Sequence, residues 1–501
     1  MHKFSLNTVS NLFSRLWSML AIYIFIPFYI NELGESAYGL VSFFATLQST
    51  LNVLGLGLAN TLRREFAAGA DNELNSIRKY KLLRSVELLY FGIGIVIVLI
   101  CSLGSDFISN NWLNIEQLNP NMVSTVIMLM GISIALQLIA NLYAGCLFGL
   151  EYQVQANMLC VMWSLGKNVG ALGVLVLIQP DLRLFYSWHI ITDILYLILL
   201  RVSVKKRIRI ESRGKWKMHD LQNLSTIWKY TVGILFISLV ALVNRQLDKV
   251  IISKFLSLTE LGAYNAATTL GNLTSIVPAA VYTAIFPRFT KAVTTGNREQ
   301  LIGEFKLTNR IVNIFTSCMI AFIGMFSVPL VRVWTGSEIY AGLLYFVGGL
   351  VVFAAGMTEL QQIPYSLALA HGNTKINVFV GGIFIPIVAI TTVLGIKNNG
   401  LVGAGMVYAI TAFAQTFVYV FLVYQKYVEN PPILYIIKDT IIPLLVALVM
   451  AFFCKSIIGE FIKSFILQCA LGVISGGVSL IFMFLIFARK DVLNLVSTIK
   501  K

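Results

Sequence analysis

Apolar residues run through this chain in long continuous blocks separated by short polar stretches. The blocks lie near residues 9–30, 38–60, 82–104, 122–148, 154–178, 184–203 and 228–252, and again near 262–286, 309–331, 341–367, 376–396, 402–425, 434–453 and 461–488. Each is about as long as the ~20 residues that a helix needs to cross ~30 Å of hydrocarbon. Barrel strands alternate apolar and polar residues over ~10 positions, and the blocks do not. The pattern therefore predicts an all-α polytopic membrane protein with about 14 transmembrane helices. The first block follows Lys3 as a secretory leader would. It contains Asn7, Asn11, Ser14, Arg15 and Ser18 and no small-residue cleavage site, so it reads as the first span.

Composition agrees and removes other classes. With 57% hydrophobic and 12% charged residues among 501, the chain is not an ordinary soluble globule. The net charge of +15 suggests nucleic acid only until its placement is considered. With the N-terminus inside, the outer loops hold Arg183, Lys254, Arg332, Lys397, Lys455 and Lys463, while most of the remaining Lys and Arg, including the run "KKRIRIESRGKWK", fall on the inner side. This is the positive-inside asymmetry; it predicts both termini in the cytoplasm and no nucleic-acid partner. The six cysteines lie in or beside apolar blocks without metal-ligand spacing and read as packing residues.

The chain also resembles itself. "LGESAYGLVSFFATLQSTL" laid over "LTELGAYNAATTLGNLTSI" aligns Ala37-Tyr38 with Ala263-Tyr264, and Ser42, Thr46 and Ser49 with Thr268, Asn272 and Ser275. "QLIANLYAG" over "ELQQIPYSL" sets Gln137 against Glu359 and Tyr143 against Tyr365 at nearly the same separation. Two six-helix lobes in parallel repeat are expected: residues 1–203, a basic linker at 204–227, a second lobe at 228–425, and two extra helices with a tail at 426–501. Transporters use such parallel repeats, with substrate bound between the lobes.

One block breaks the apolar rule. "LVALVNRQLDKVIISKFL" carries Arg245, Asp248 and Lys249, which share a helical face because residues three and four apart are neighbours. A charge at the bilayer centre costs about 2.5–3.5 kcal/mol on insertion scales, so this stripe should face a cavity or a partner helix. Asp248 neutralises only one of its two neighbours, which leaves a cation for an anionic ligand. Span 1 repeats the theme with Asn11 and Arg15, about one turn from the Arg245 position in the repeat register. Lys167 either joins these cations or pairs with Asp193. Glu359, followed by Gln361, Gln362 and Pro364, is read as a proton or sodium coupling site or as a structural hydrogen bond. Arg63 and Arg64 close span 2 at the cytoplasmic mouth. Catalysis finds little support, because no outer loop carries a His, Cys or carboxylate cluster. No metal and no cofactor is expected.

The opening "NTVSNLFSRLWSMLAIYIFIPFYINELGESAYGLVSFFATLQSTLNVLGLGLANTLRREFA" and the later "NNGLVGAGMVYAITAFAQTFVYVFLV" resemble bacterial O-antigen and related polysaccharide-unit flippases of the multidrug/oligosaccharidyl-lipid/polysaccharide exporter superfamily. The resemblance implies movement of an undecaprenyl-pyrophosphate-linked oligosaccharide across the bacterial inner membrane by alternating access. It implies a cationic cavity, carried over to Arg15, Arg245 and Lys249, with membrane lipid, a polysaccharide polymerase and a chain-length regulator as partners. Sugar hydroxyls would need amides and hydroxyls such as Asn11, Gln48, Asn265, Thr268, Asn272 and Gln362. The sequence departs from family members that place Asp ahead of the span 2 glycines, where it has "NVLGLG". The "GLVGAG" start of span 12 also has no clear counterpart before span 6. Two other readings stay open: a cation-coupled drug exporter, which would favour an anionic cavity near Asp193 and Glu359, and a membrane polymerase or ligase, which would need a large outer loop.

Overall fold

The computed structural model describes residues 2–67, 73–115, 118–208, 223–428 and 432–488. Residues 209–222 of the expected basic linker and the tail from 489 lie outside them. The described residues are helical nearly throughout, with one isolated bridge between Asn114 and Ser257. In chain order the helices are α1 (His2–Leu33), α2 (Glu35–Ala67), α3 (Glu73–Phe107), α4 (Pro120–Gly149), α5 (Gln153–Leu177), α6 (Leu182–Arg207) and α7 (Asn223–Phe255). There follow α8 (Leu258–Gly271), α9 (Ile276–Thr294), α10 (Arg298–Met325), α11 (Ser327–Thr335), α12 (Glu338–Leu343), α13 (Val347–Glu359) and α14 (Gln362–Ala370). The chain ends with α15 (Lys375–Tyr427), α16 (Pro432–Ile436), α17 (Ile442–Phe461) and α18 (Phe465–Phe487).

Among the described residues, 10 helical stretches are long and apolar enough to cross a membrane. One of them, α15, is a hairpin and crosses twice. Helices α2 and α7, each 33 residues, and the broken pair α13–α14 coincide with the three remaining apolar blocks of the sequence. The chain is an all-α multi-pass membrane protein, as its sequence predicts.

Contacts divide the chain into two compact units, Met1–Gln246 with Ser253–Thr259, and Leu247–Ile252 with Glu260–Lys501. In the first, α4 is the hub, packing against α2, α3 and α6, while α1 lies on α5. Small residues permit the close approach. A Cβ on Gly145 would stand 3.0 Å from the Ala59 carbonyl oxygen and one on Gly149 would stand 2.6 Å from that of Arg63, so α4 and α2 touch backbone to backbone there. The turn between α7 and α8 belongs to this unit as well: Trp112 Nε1 donates to Ser253 Oγ at 3.1 Å, and Lys254 reaches the Asn111 carbonyl.

In the second unit α10 is the hub, packed by α9, α13, α17 and α18. Ala447 and Ala451 of α17 and Met483 of α18 pack with Phe322 of α10, and Arg310 of α10 pairs with Asp439, just before α17, at 3.1 Å. The "GLVGAG" stretch has a clear physical reason. Gly400 takes a left-handed φ of 54° that reverses α15, and a Cβ on Gly403 would fall 1.9 Å from the Gly395 carbonyl oxygen as the two arms cross. The repeat pair Tyr38 and Tyr264 is buried in both units. The second unit departs from the first after that point. Helix α8 stops at a 3-10 turn, Asn272–Ser275, where α2 runs on to Ala67.

Candidate functional site

In the first unit the polar side chains of four helices form one buried chain. Asp193 on α6 accepts from Ser133 Oγ at 2.5 Å and Gln137 Nε2 at 3.0 Å through one carboxylate oxygen. Its other oxygen accepts from Trp163 Nε1 at 2.9 Å and Lys167 Nζ at 3.4 Å. Lys167 also lies over the Trp163 ring, 5.0 Å from its centroid. Gln48 on α2 joins the chain by donating to Gln137. The arrangement follows from three pairs spaced four apart, Ser133 with Gln137, Trp163 with Lys167 and His189 with Asp193, each presenting two polar groups on one helical face. His189 is buried beside Phe185, and neither ring nitrogen has a hydrogen-bond partner among the described residues. Asp193 is thus bound by four donors, one of them Lys167, its ion-pair partner.

Asn11 is held between helices. It donates to Gln153 Oε1 at 2.8 Å and accepts from Asn157 Nδ2 at 2.6 Å, which joins α1 to α5. Arg15 on the same helix is exposed, and no ion pair or hydrogen bond holds it among the described residues. Arg245 on α7 is in the same condition. Arg63 and Arg64 are exposed at the end of α2, Arg63 with its guanidinium 5.0 Å from the Phe148 ring centroid.

In the second unit Asp248 is buried and accepts from the Tyr264 hydroxyl at 2.7 Å, while its Oδ1 has no hydrogen-bond partner among the described residues. Lys249 is half-buried with interactions of its own. Thr268 turns its hydroxyl back to the carbonyls of Tyr264 and Asn265, at 3.0 and 2.9 Å, and Asn265 is half-buried. Asn272 is exposed at the start of the 3-10 turn. Between α13 and α14 the helix breaks at Leu360–Gln361, four residues before Pro364, which has no N–H to donate. Gln362 Nε2 lies 3.5 Å from Glu359 across that break, and Gln361 donates to Thr416 at 2.7 Å.

The structure thus joins Lys167, Asp193 and Gln48 in one network, sets Asp248 against Tyr264, and leaves Arg15 and Arg245 exposed. The roles of Ser133, Gln137, Trp163 and Tyr264 were not read from the sequence. The signal for the first three was the four-residue spacing, and Tyr264 had already appeared in the repeat.

Two compact units of long apolar helices make up a polytopic membrane fold. Solved structures share it: a lipid II flippase, MurJ, in an inward closed conformation has a TM-score of 0.73 at 14% identity, over 97% of this chain and 99% of that one. An inward-facing multidrug resistance MATE family transporter of the MOP superfamily gives 0.67 at 13% identity, over 82% of this chain and 94% of that one. Residues 5–293, more than half of the sequence, match the family described as polysaccharide biosynthesis protein, and the chain belongs to that family. It is similar to a Shigella flexneri protein whose name assigns it to O-antigen transport, 23% identical over 81% of this chain and 94% of that protein. It is also similar to the succinoglycan biosynthesis transport protein ExoT of Rhizobium meliloti (strain 1021), 23% identical over 42% of each.

Proposed function

We propose that this protein is a flippase, not an enzyme, and that it moves a lipid-linked oligosaccharide carried on undecaprenyl pyrophosphate across the bacterial inner membrane by alternating access. The family, the two transport relatives and the flippase-like fold support the class. The observation that carries the substrate chemistry is Arg245, an exposed guanidinium unmatched by acid among the described residues on a helix long enough to cross the bilayer. A pyrophosphate is a strong acceptor for such a group. Arg15 is the second exposed cation of this kind, and Lys249 is the neighbour of Arg245 one turn on. The lipid tail stays in the bilayer, so only the polar head has to be matched by protein.

The basic run after α6 supports a topology with both termini in the cytoplasm. Coupling to a proton or sodium gradient belongs to the same proposal, with Asp248, whose Oδ1 is unpartnered among the described residues, as its carboxylate. The drug-exporter reading calls for an open anionic cavity, and Asp193 offers none because its oxygens are filled by four donors. A polysaccharide polymerase and a chain-length regulator are the partners this role implies. The test is complementation with Arg245→Ala in cells lacking the protein. Surface polysaccharide should be lost while the variant is found in the membrane at the wild-type level; normal polymer removes the assignment.

A further inference from the structure

A second concentration of charge lies in the first unit, at the end of the helices next to the basic run, apart from the polar network and the exposed arginines. Glu87 on α3 is buried and accepts from Arg84 Nη1 at 2.7 Å and from the Tyr143 hydroxyl at 2.5 Å. Arg84 is held in turn by the Tyr80 hydroxyl at 3.3 Å. One carboxylate and one guanidinium are therefore matched. From α6, Arg201 and Lys205 add two more cations within electrostatic range of the same groups. The Nε of Arg201 is buried and has no hydrogen-bond partner among the described residues. Against one buried acid, Glu87, α3 and α6 thus carry three cations, of which Arg201 and Lys205 share a helical face four residues apart. An unmatched buried donor on a charged group is costly unless something occupies it.

The surroundings define what that is. Helices α3 and α6 both pack on α4, and the basic residues stand on their flanks. Going deeper along each helix, the exposed side chains become apolar: Leu88 and Phe91 on α3, and Ile198 and Ile194 on α6. Basic residues followed along the same helices by exposed apolar ones match an amphiphile, with the anionic head at the interface and chains beside the helices.

We propose that Arg84 on α3 and Arg201 and Lys205 on α6, the two helices that flank α4, bind a phosphate-bearing lipid head group. Arg201 and Lys205 make the phosphate contacts, because Arg84 is committed to Glu87. The acidic phospholipid of the surrounding leaflet and a polyprenyl diphosphate share this chemistry. Binding of the phospholipid stands apart from what the protein transports, whereas binding of the polyprenyl diphosphate rests on the proposed function.

The experiment is thermal unfolding of the purified full-length protein in a neutral detergent, titrated separately with phosphatidylglycerol, phosphatidylcholine, a polyprenyl diphosphate and inorganic phosphate. The proteins compared are wild type, R201Q/K205Q, and K291Q/R298Q, which removes the same charge from exposed positions in the second unit. Phosphatidylglycerol or the polyprenyl diphosphate should raise the melting temperature of wild type and of K291Q/R298Q. For R201Q/K205Q the lipid concentration needed should rise about tenfold, as expected for loss of a charge-assisted contact. The stronger of the two lipids identifies the source. Equal stabilisation by phosphatidylcholine or by inorganic phosphate overturns the proposal, as does an equal loss in K291Q/R298Q. If R201Q/K205Q does not fold, K205Q, at a half-buried position, serves in its place: a lipid response unchanged from wild type overturns the site. A normal flippase phenotype in R201Q/K205Q would leave the proposed function intact, so the two proposals fail separately.

Discussion

Replacing Lys167 by Met should destabilise the first unit strongly, and adding Asp193→Asn should cost much less on that background than it does alone. Lys167 Nζ and Asp193 Oδ1 lie 3.4 Å apart with side chains only 10% and 1% exposed. At an effective dielectric of ~20 their attraction is about 5 kcal/mol. Desolvation offsets most of this, so the intact pair adds little net stability. Removing one partner is a different matter, since it leaves a buried charge alone. Lys167→Met should cost about 3–5 kcal/mol, and Asp193→Asn a similar amount because Lys167 would then face a neutral amide. In the double variant no ion is stranded, and the amide oxygen introduced at position 193 would still accept from Trp163 or Gln137. The double variant should therefore lose about 3 kcal/mol less than the sum of the singles. The assay is equilibrium unfolding of the purified protein in micelles, run as a double-mutant cycle. Additivity within about 0.5 kcal/mol would mean that the two groups do not act as a pair and would refute the reasoning.

Other expectations follow from particular contacts. Gly403→Val places side-chain atoms where the Gly395 backbone now lies, so the α15 hairpin cannot close, and the variant should be recovered from membranes at a small fraction of the wild-type level on a quantitative blot. Tyr264→Phe removes the donor to buried Asp248 and should lower stability by about 1–3 kcal/mol in the same unfolding assay. Asp181 caps α6 by accepting from the Arg183 N–H at 2.6 Å, and its hydrogen bonds to Arg183 hold its carboxyl below the usual carboxylate range. The stability it adds is thus present above its unfolded value near ~4 and is lost as pH falls through the lower folded value. Asp181→Asn should erase that acid-side difference, seen as converging melting temperatures of variant and wild type below about pH 4.

Much of the fold was legible because the bilayer imposes a length on every crossing, and fourteen apolar blocks carry that length openly. The break in α15 was legible too, since "NNGLVGAG" separates two blocks that the helix otherwise runs together. The broken span at Glu359–Gln362 was signalled by Pro364, but the 3-10 turn after Gly271 was not. Both halves of the repeat look alike there in sequence, and a Cβ on Gly271 would meet Ala355 at 2.7 Å, a tertiary contact that no local pattern displays. The charged residues divided in the same way. Their presence in spans could be read directly, and the pairing of Lys167 with Asp193 was one of two open choices. Which cation stayed exposed depends on partners such as Tyr264, Trp163 and Ser133, brought in from other helices.

The most direct measurement is reconstitution of the purified protein in liposomes that carry an undecaprenyl-pyrophosphate-linked oligosaccharide, with a membrane-impermeant glycosidase added outside. The account predicts that glycan initially protected in the inner leaflet becomes cleavable in the presence of wild-type protein and stays protected with Arg245→Ala. Protection by wild-type protein equal to that of protein-free liposomes, in vesicles shown to hold folded protein, would contradict it.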